Sequence, residues 1–336
     1  MGVLTTTTEV PAAVRTYYDR VTLMRALPKL VYSRVATRRP IKQRQGDTMI
    51  FRKFNALPTA TAPLVEGVPP TGRQLSKTDI SVKIQQWGDF MPVTDLVQVT
   101  IDNPVLNEIS KLLGEQAAQT VDELLRDVVV AGTSVGYGGG QTSRANLTTT
   151  THKVDVTLLE RALRTMQNTN ATMFTQMVEA SVKVSTFPIR ESYIAITHPD
   201  VRFTIETLNG FISSEQYAQS GKLLPGEFGS YKGLRFLSTT KGKVFLGGGG
   251  SATGDVKSTG GLADVYTIMI FAEESCASVP LEGMSLENIV HPRGTGGSAD
   301  PLNQKGTSGW KHTGARIRLQ ESFSLRLEVT AGDTAP

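Results

Sequence analysis

Cysteine is almost absent: Cys276 is the one thiol in a chain of 336 residues. That excludes an internal disulfide framework and any metal site built from several cysteines. Histidine is scarce too. His152, His198, His291 and His312 stand far apart, and no two fall at i and i+4, so the zinc-protease arrangement is missing. No apolar run approaches the roughly 18 residues that span a bilayer. The opening MGVLTTTTEVPAAV has no basic segment ahead of an apolar one, so it does not read as a secretory signal. A soluble protein made in the cytoplasm is the expectation. A phosphate-binding GxxxxGK[ST] loop is also missing.

Hydrophobic residues make up 39% of the chain and charged residues 20%, with 32 glycines. This is the composition of a folded protein with several glycine-rich loops, not of a disordered chain or a coiled coil. The length suggests about two domains. The net charge of +4 is spread unevenly: residues 1–55 hold eleven Lys/Arg against three acids, a net +8, which leaves −4 on the remainder. A basic arm on a mildly acidic body points to a polyanion or an acidic partner surface. The plain alternative is a solvated basic helix face.

Apolar residues recur every three to four positions from Val14 to Val35, which predicts a helix over 11–36 that Pro28 ends or kinks. Residues 48–54 alternate in part, and 78–86 alternate cleanly, with Ile80, Val82 and Ile84 on one side. Trp87-Gly-Asp-Phe90 reads as a turn into a further strand over 91–99. Such a two- or three-stranded excursion is marginal alone and needs a neighbour. Asn103 and Pro104 then open the clearest element, a helix with unbroken periodicity over 104–131, stopped by Gly132. Thr157 with Glu160 reads as a capping box for another helix. Strands are expected at 193–197, 234–238, 264–271 and 315–329, with a helix near 199–207. The stretch 247–261, with seven glycines, reads as a mobile surface loop. Helices and strands interleave without a regular βαβ alternation, so the fold class expected is α+β.

Chemistry is hard to find. Gly132-Thr-Ser134-Val-Gly136 matches the nucleophile-elbow pattern, which would make Ser134 the nucleophile of a serine hydrolase. That pattern needs a strand before the serine and a helix after it, and here a long helix precedes it. His198-Pro-Asp200 offers a base beside an acid, but without a partner nucleophile it reads as a turn. His291, Asp300 and His312 are a candidate metal trio only if the fold brings them together. Trp87 and Trp310 fit core packing or a subunit contact. No cofactor, catalytic residue or metal site is expected. A long helix, an arm and a projecting hairpin without catalytic residues suggest a protein that assembles.

Several stretches together resemble a known family. They are Ala26-Leu-Pro-Lys-Leu-Val31, Leu64-Val-Glu-Gly-Val-Pro-Pro70, Gln86-Trp-Gly-Asp-Phe-Met-Pro-Val-Thr-Asp95 and Leu113-Gly-Glu-Gln-Ala117. Further along come Tyr193-Ile-Ala-Ile-Thr-His-Pro199, Leu224-Pro-Gly-Glu-Phe-Gly229, Gly233-Leu-Arg-Phe236, Asp300-Pro-Leu-Asn-Gln304 and Gly309-Trp-Lys311. In this order they resemble the major capsid proteins of tailed bacteriophages, in the branch typified by the N-four-like phages. The resemblance covers nearly the whole chain, and 247–261 looks like a variable insertion in it.

It implies the Hong Kong-97-type capsid fold. The expected parts are a basic N-terminal arm at 1–45, an extended hairpin loop region at 46–102, and a spine helix with the first part of a peripheral domain at 103–189. An axial domain at 190–290 and a return to the peripheral domain at 291–336 complete it. The implied function is a head protein whose pentamers and hexamers form an icosahedral shell around packaged double-stranded DNA. The implied partners are many copies of itself, a portal, a decoration protein, DNA held by non-specific contact, and no membrane. A separate scaffolding protein is expected, because only about 45 residues precede the hairpin. Arg34, Arg38, Arg39, Lys42 and Arg44 are the residues expected to face scaffold or DNA. A bacterial nanocompartment shell of the same fold is the sibling reading.

Overall fold

A computed structural model describes residues 31–61, 63, 66–67, 72–94, 105–178, 186–216, 223–224, 226–291, 302 and 304–333. Most of the helix read over 11–36 lies outside these residues. Its described end, Tyr32–Arg34, is a single 3-10 turn. In chain order there follow β1 (Thr37–Arg38), β2 (Thr48–Phe54), β3 (Lys77–Lys83), β4 (Gln85–Thr94) and helix α1 (Val105–Val130). Next come β5 (Val135–Tyr137), α2 (Val156–Asn168), β6 (Phe174–Val178), β7 (Thr186–Thr197), α3 (Pro199–Glu206), β8 (Ile212–Ser213), β9 (Glu227–Tyr231) and β10 (Leu234–Ser238). The rest is strand: β11 (Val244–Phe245), β12 (Ser258–Thr259), β13 (Leu262–Ala263), β14 (Val265–Phe271), β15 (Cys276–Pro280), β16 (Glu287–His291), β17 (Lys305–Arg318) and β18 (Ser324–Thr330).

Two mixed sheets carry the molecule. The larger runs β5-β18-β14-β7-β10-β9-β8, with β11 on β14 and β6 on β7. Its centre is β14, in which all seven residues are buried, because both faces of the sheet are covered. One face packs on α2 through Leu158, Leu159, Ala162, Leu163 and Met166, and on α3 through Val201 and Ile205. The other face, with Ile194, Ile196, Leu237, Met269 and Phe271, packs on Leu125, Val129 and Val130 of α1. The smaller sheet runs β1-β15-β17-β16, with β4 along the other side of β17. The first half of α1 covers it, packing Ile109, Leu113 and Ala117 on Val93 and Trp310. So α1 spans about 39 Å at 1.5 Å per residue and is shared by two cores.

The end of α1 is fixed by chemistry as well as packing. Arg326 of β18 donates through Nη1 to the free carbonyls of Val130 and Gly132, which places a cation at the helix C-terminus.

Several expectations need correction. Trp87-Gly-Asp-Phe90 is not a turn: it lies inside β4, paired with β17 from Gln85↔Gly314 to Thr94↔Lys305. Gly88 is there because strands crowd; a Cβ on it would sit 2.6 Å from the Trp310 carbonyl oxygen. The strand described ends at Thr94, and 95–99 lie outside the described residues. The strand read over 315–329 is two strands, β17 and β18, broken at a 3-10 turn, Glu321–Phe323, and they belong to different sheets. Helix α2 is capped by Asp155, whose carboxylate accepts from the Leu158 N–H at 2.8 Å, and not by Thr157. Asp155 lies two residues ahead of Thr157, the other short polar side chain able to cap, and its geometry wins.

The glycine-rich stretch is the largest departure. Its first part, 247–250, is packed, while most of 251–261 is exposed, as expected of a surface loop. The Gly247 N–H donates to Asp264 at 2.7 Å, the Gly249 N–H donates to the Ala263 carbonyl while the Ala263 N–H donates to that of Gly250, and Gly250 and Thr253 donate to Leu147 and Thr148. A Cβ at Gly249 would lie 2.3 Å from the Leu147 carbonyl oxygen, and one at Gly250 2.5 Å from that of Ala145. These glycines let two backbone segments touch. Gly249→Ala is therefore expected to cost about 1–3 kcal/mol, as overpacking does. Gly72→Ala, where nothing lies within 4 Å, is expected to stay within about 0.5 kcal/mol. Chemical denaturation of the two variants checks the contrast.

Candidate assembly surface

The surface is built from the base of the arm, the β2–β3 hairpin and the edge of the smaller sheet. Tyr32 is buried edge-on against Phe271, with ring centroids 6.3 Å apart. The turn holding it is tied to α1 by one carboxylate. Asp122 Oδ1 accepts the backbone N–H groups of Val31 and Ser33, both at 3.1 Å. Burial pushes the Asp122 carboxyl up to about 6, and those hydrogen bonds pull the other way. The chain then becomes an edge strand. Thr37 and Arg38 pair in parallel with Ala277 and Ser278, and Arg39 and Ile41 continue the ladder onto Ser278 and Pro280.

This edge gathers four of the five expected basic residues. Arg38, Arg39, Lys42 and Arg44 are exposed along it, and Arg39 lies 3.9 Å from Glu274. Arg44 holds a left-handed conformation with φ of 64°. Arg34 stands apart: it is half-buried in the turn beside Asp122, and burial lowers its pKa.

Strands β2 and β3 pair from Thr48↔Lys83 to Phe54↔Lys77. The side chains of Met49, Phe51 and Val82 on one face pack, with Ile84, on Ile41, Val279, Leu281 and Ala315 of the sheet edge. Arg52 grips Asp79 across the strands with two hydrogen bonds, 2.8 and 3.2 Å. Beyond the base, no residue of the hairpin among those described is buried. Ile50, Phe54, Leu57 and Leu75 are 57–69% exposed. A groove of about 470 Å³ lies where the hairpin meets the edge, lined in part by Arg39, Phe51, Arg52, Lys53 and Glu274. Arg52 and Lys53, counted in the basic segment 1–55 but not among the five named residues, add to the basic lining.

His198 and Asp200 do meet, with Nδ1 3.3 Å from the carboxylate, but among the described residues neither the nucleophile elbow nor the metal trio is built. Ser134 follows α1 and precedes β5, the reverse of an elbow's strand-then-helix order. Its backbone N–H donates to Glu321 Oε1 at 3.2 Å, which fixes the helix-to-strand junction. His198 caps α3, its Nδ1 accepting the Asp200 N–H at 3.2 Å, while Asp200 pairs with Lys257 at 3.0 Å. His152 Nδ1 accepts the Thr148 N–H at 2.9 Å. His291 faces Thr307 of β17, five residues from His312, or about 16 Å along a strand. Asp300 lies outside the described residues. His312 already accepts a hydrogen bond from Arg316 at 2.8 Å, and among the described residues no cluster of three ligating side chains forms.

The raised pKa of Asp122 has a sign. A carboxyl whose folded pKa lies above its unfolded one adds stability that is full below the unfolded value, near 3.8, and is lost as pH rises through about 6. Compared with Asp122→Asn, the wild type is expected to lose about 2–3 kcal/mol between pH 4 and pH 7. Parallel denaturation curves of the two proteins across that range check this.

Comparison with known proteins adds the last observation. The family model described as phage capsid protein matches residues 77–281. No curated protein sequence matches the chain. Among solved structures, the capsid of Ralstonia phage GP4 superposes with a TM-score of 0.60 at 15% identity, covering 91% of this chain and 90% of that one. The capsid asymmetric unit of cyanophage Pam1 gives 0.60 at 13% identity, covering 92% and 93%. The capsid of cyanophage P-SCSP1u gives 0.56 at 14%, covering 89% and 87%.

Proposed function

This chain belongs to the phage capsid protein family and is a major capsid shell protein with the Hong Kong-97-type fold, and from that premise we propose how it builds its shell. Its copies form pentamers and hexamers of an icosahedral head around packaged double-stranded DNA. The observation that carries this is the β2–β3 hairpin, which leaves four large apolar side chains in water. Burying each of them in a contact gains about 1.5–3 kcal/mol, so a neighbouring copy laid under the hairpin would supply the core it lacks. A shell of such overlaps draws its stability from summed interfaces.

The division we propose is an arm at 1–45, a hairpin loop region at 46–102, a spine helix with the first peripheral part at 103–189, an axial domain at 190–290 and a peripheral return at 291–336. The two sheets support it in outline. The smaller sheet with the first half of α1 fits a peripheral domain, and the larger with α2 and α3 fits an axial one. Strands cross between the parts: β15 and β16 lie in the smaller sheet and β18 in the larger.

Arg38, Arg39, Lys42 and Arg44, with Arg34 behind them, contact a scaffolding protein or packaged DNA. Contacts of this kind read phosphate or carboxylate charge and not base sequence. A portal and a decoration protein complete the particle, which is assembled in the host cytoplasm. The role is structural, without a catalytic centre. Neither a nanocompartment shell nor a hydrolase using Ser134 is favoured.

Negative-stain electron microscopy of the expressed protein, alone and with its scaffold, tests the reading. Closed shells, tubes or rings of five and six subunits are expected; a uniform small oligomer under every condition overturns it. Replacing Ile50 and Phe54 together by Ser is expected to leave the melting temperature of the unassembled protein within about 2–4 °C while abolishing shells. Replacing Arg38, Arg39, Lys42 and Arg44 together by Ala is expected to weaken assembly or packaging. Normal infectious particles from that variant would remove the role of the basic edge.

A further inference from the structure

Arginines that leave water in this chain meet carboxylates. Arg144 and Arg326 both pair with Glu328, at 2.7 and 2.8 Å; Arg235 pairs with Glu227 and Arg126 with Asp127. Arg316 on β17 breaks the pattern. It is only 8% exposed. Its guanidinium lies 4.9 Å from the centre of the Trp87 ring, and Nη2 donates to His312 Nε2 at 2.8 Å. Nη1 has no hydrogen-bond partner, and among the described residues no acid pairs with it. Cation–π contact and one neutral imidazole are weak compensation for a buried charge.

A second arginine faces the same way. Arg38 of β1 pairs with Ser278 of β15, which pairs with Arg316 of β17. Side chains in one row across a sheet share a face, so Arg38 and Arg316 stand two strands apart, about 10 Å, on one side of it. Arg38 is close enough to depress the pKa of His312, together with burial and Arg316. The row therefore holds two cations and no acid among the described residues, opens to solvent at Arg38, and has His312 four residues along β17 from Arg316.

We propose that Arg38 and Arg316 form an acceptor site for a carboxylate of a second copy of this chain, so that the missing ion pair is completed only on assembly. The inference rests on the shell reading, which brings copies into contact. The occupant follows from charge and from the chain's own habit. Buried Arg235 and the partly buried Arg126, Arg144 and Arg326 are each met by Asp or Glu, and the chain beyond residue 55 carries the excess acid, a net −4.

Cryo-electron microscopy of shells assembled from the full chain tests it. An Asp or Glu of a neighbouring copy within about 4 Å of the Arg316 guanidinium is the expected result. Well-formed shells in which Arg316 meets a carboxylate of its own chain, a scaffold residue, a phosphate or nothing overturn the inference and leave the shell reading intact. Absence of shells overturns both. Arg316→Met keeps the volume and removes the charge. It is expected to fold with an equal or higher melting temperature, because an unpaired buried charge is lost. It is expected to need about tenfold more protein to form shells. Assembly at the wild-type concentration overturns the site, and where that variant does not fold the shell structure decides alone.

Discussion

Helix α1 is buried twice, against a different sheet at each end, and the rest of the subunit is positioned by that. Its first half lies on Val93 and Trp310 of the smaller sheet, where Ala117 lets the helix approach closely. Its second half fills the larger sheet's outer face with Leu125, Val129 and Val130. The two sheets are tied by this rod, by the polar contacts at its end, and by Cys276 of β15, which packs in the same core as Met269 and Phe271. Arg326 holds the last carbonyls, and Glu328 holds Arg326 and Arg144 in turn. Arg126 on the helix reaches the Lys241 carbonyl at 2.9 Å and so pins a loop of the larger sheet.

The assembly surface depends on the same rod. Asp122 takes the arm's backbone donors into the helix face, which sets where the chain enters the smaller sheet as β1. That edge strand then gives the hairpin the apolar shelf on which Met49, Phe51 and Val82 rest. The hairpin is anchored at its base, and its described residues beyond the base are exposed. Such a division suits a shell subunit: a fixed root gives the contact direction, and an uncovered tip gives it a driving force.

Charge is handled differently in the two halves. In the larger sheet buried arginines are neutralised inside the subunit, as with Arg235 and Glu227. In the smaller sheet, Arg38 on the edge strand and Arg316 on β17 are not neutralised by any acid among the described residues. A subunit with an internal excess of positive charge at one edge is kept from self-association through that edge alone, and favours partners that bring acid.

How much was legible in the sequence follows from how local the cause was. Helix α1, Val105–Val130 against a reading of 104–131, was legible because twenty-six residues of unbroken period cannot be satisfied any other way. The β2–β3 pairing and the strands β10 and β14 were legible for the same reason, as was the basic edge, since four neighbouring cations need no fold to be near each other. The α+β class followed from the order of these elements. Tertiary structure decided the rest. Gly88 reads as a turn residue until β17 passes 2.6 Å from where its Cβ would be, and Gly249 and Gly250 read as slack until the loop of Ala145 and Leu147 is packed against them. The row Arg38–Ser278–Arg316 joins residues 240 and 38 positions apart in sequence, and only pairing across three strands makes it a site. Periodicity and composition record what a residue needs from its own segment. Close backbone approach and charge pairing across strands record what distant segments do to each other, and that is written nowhere along the chain.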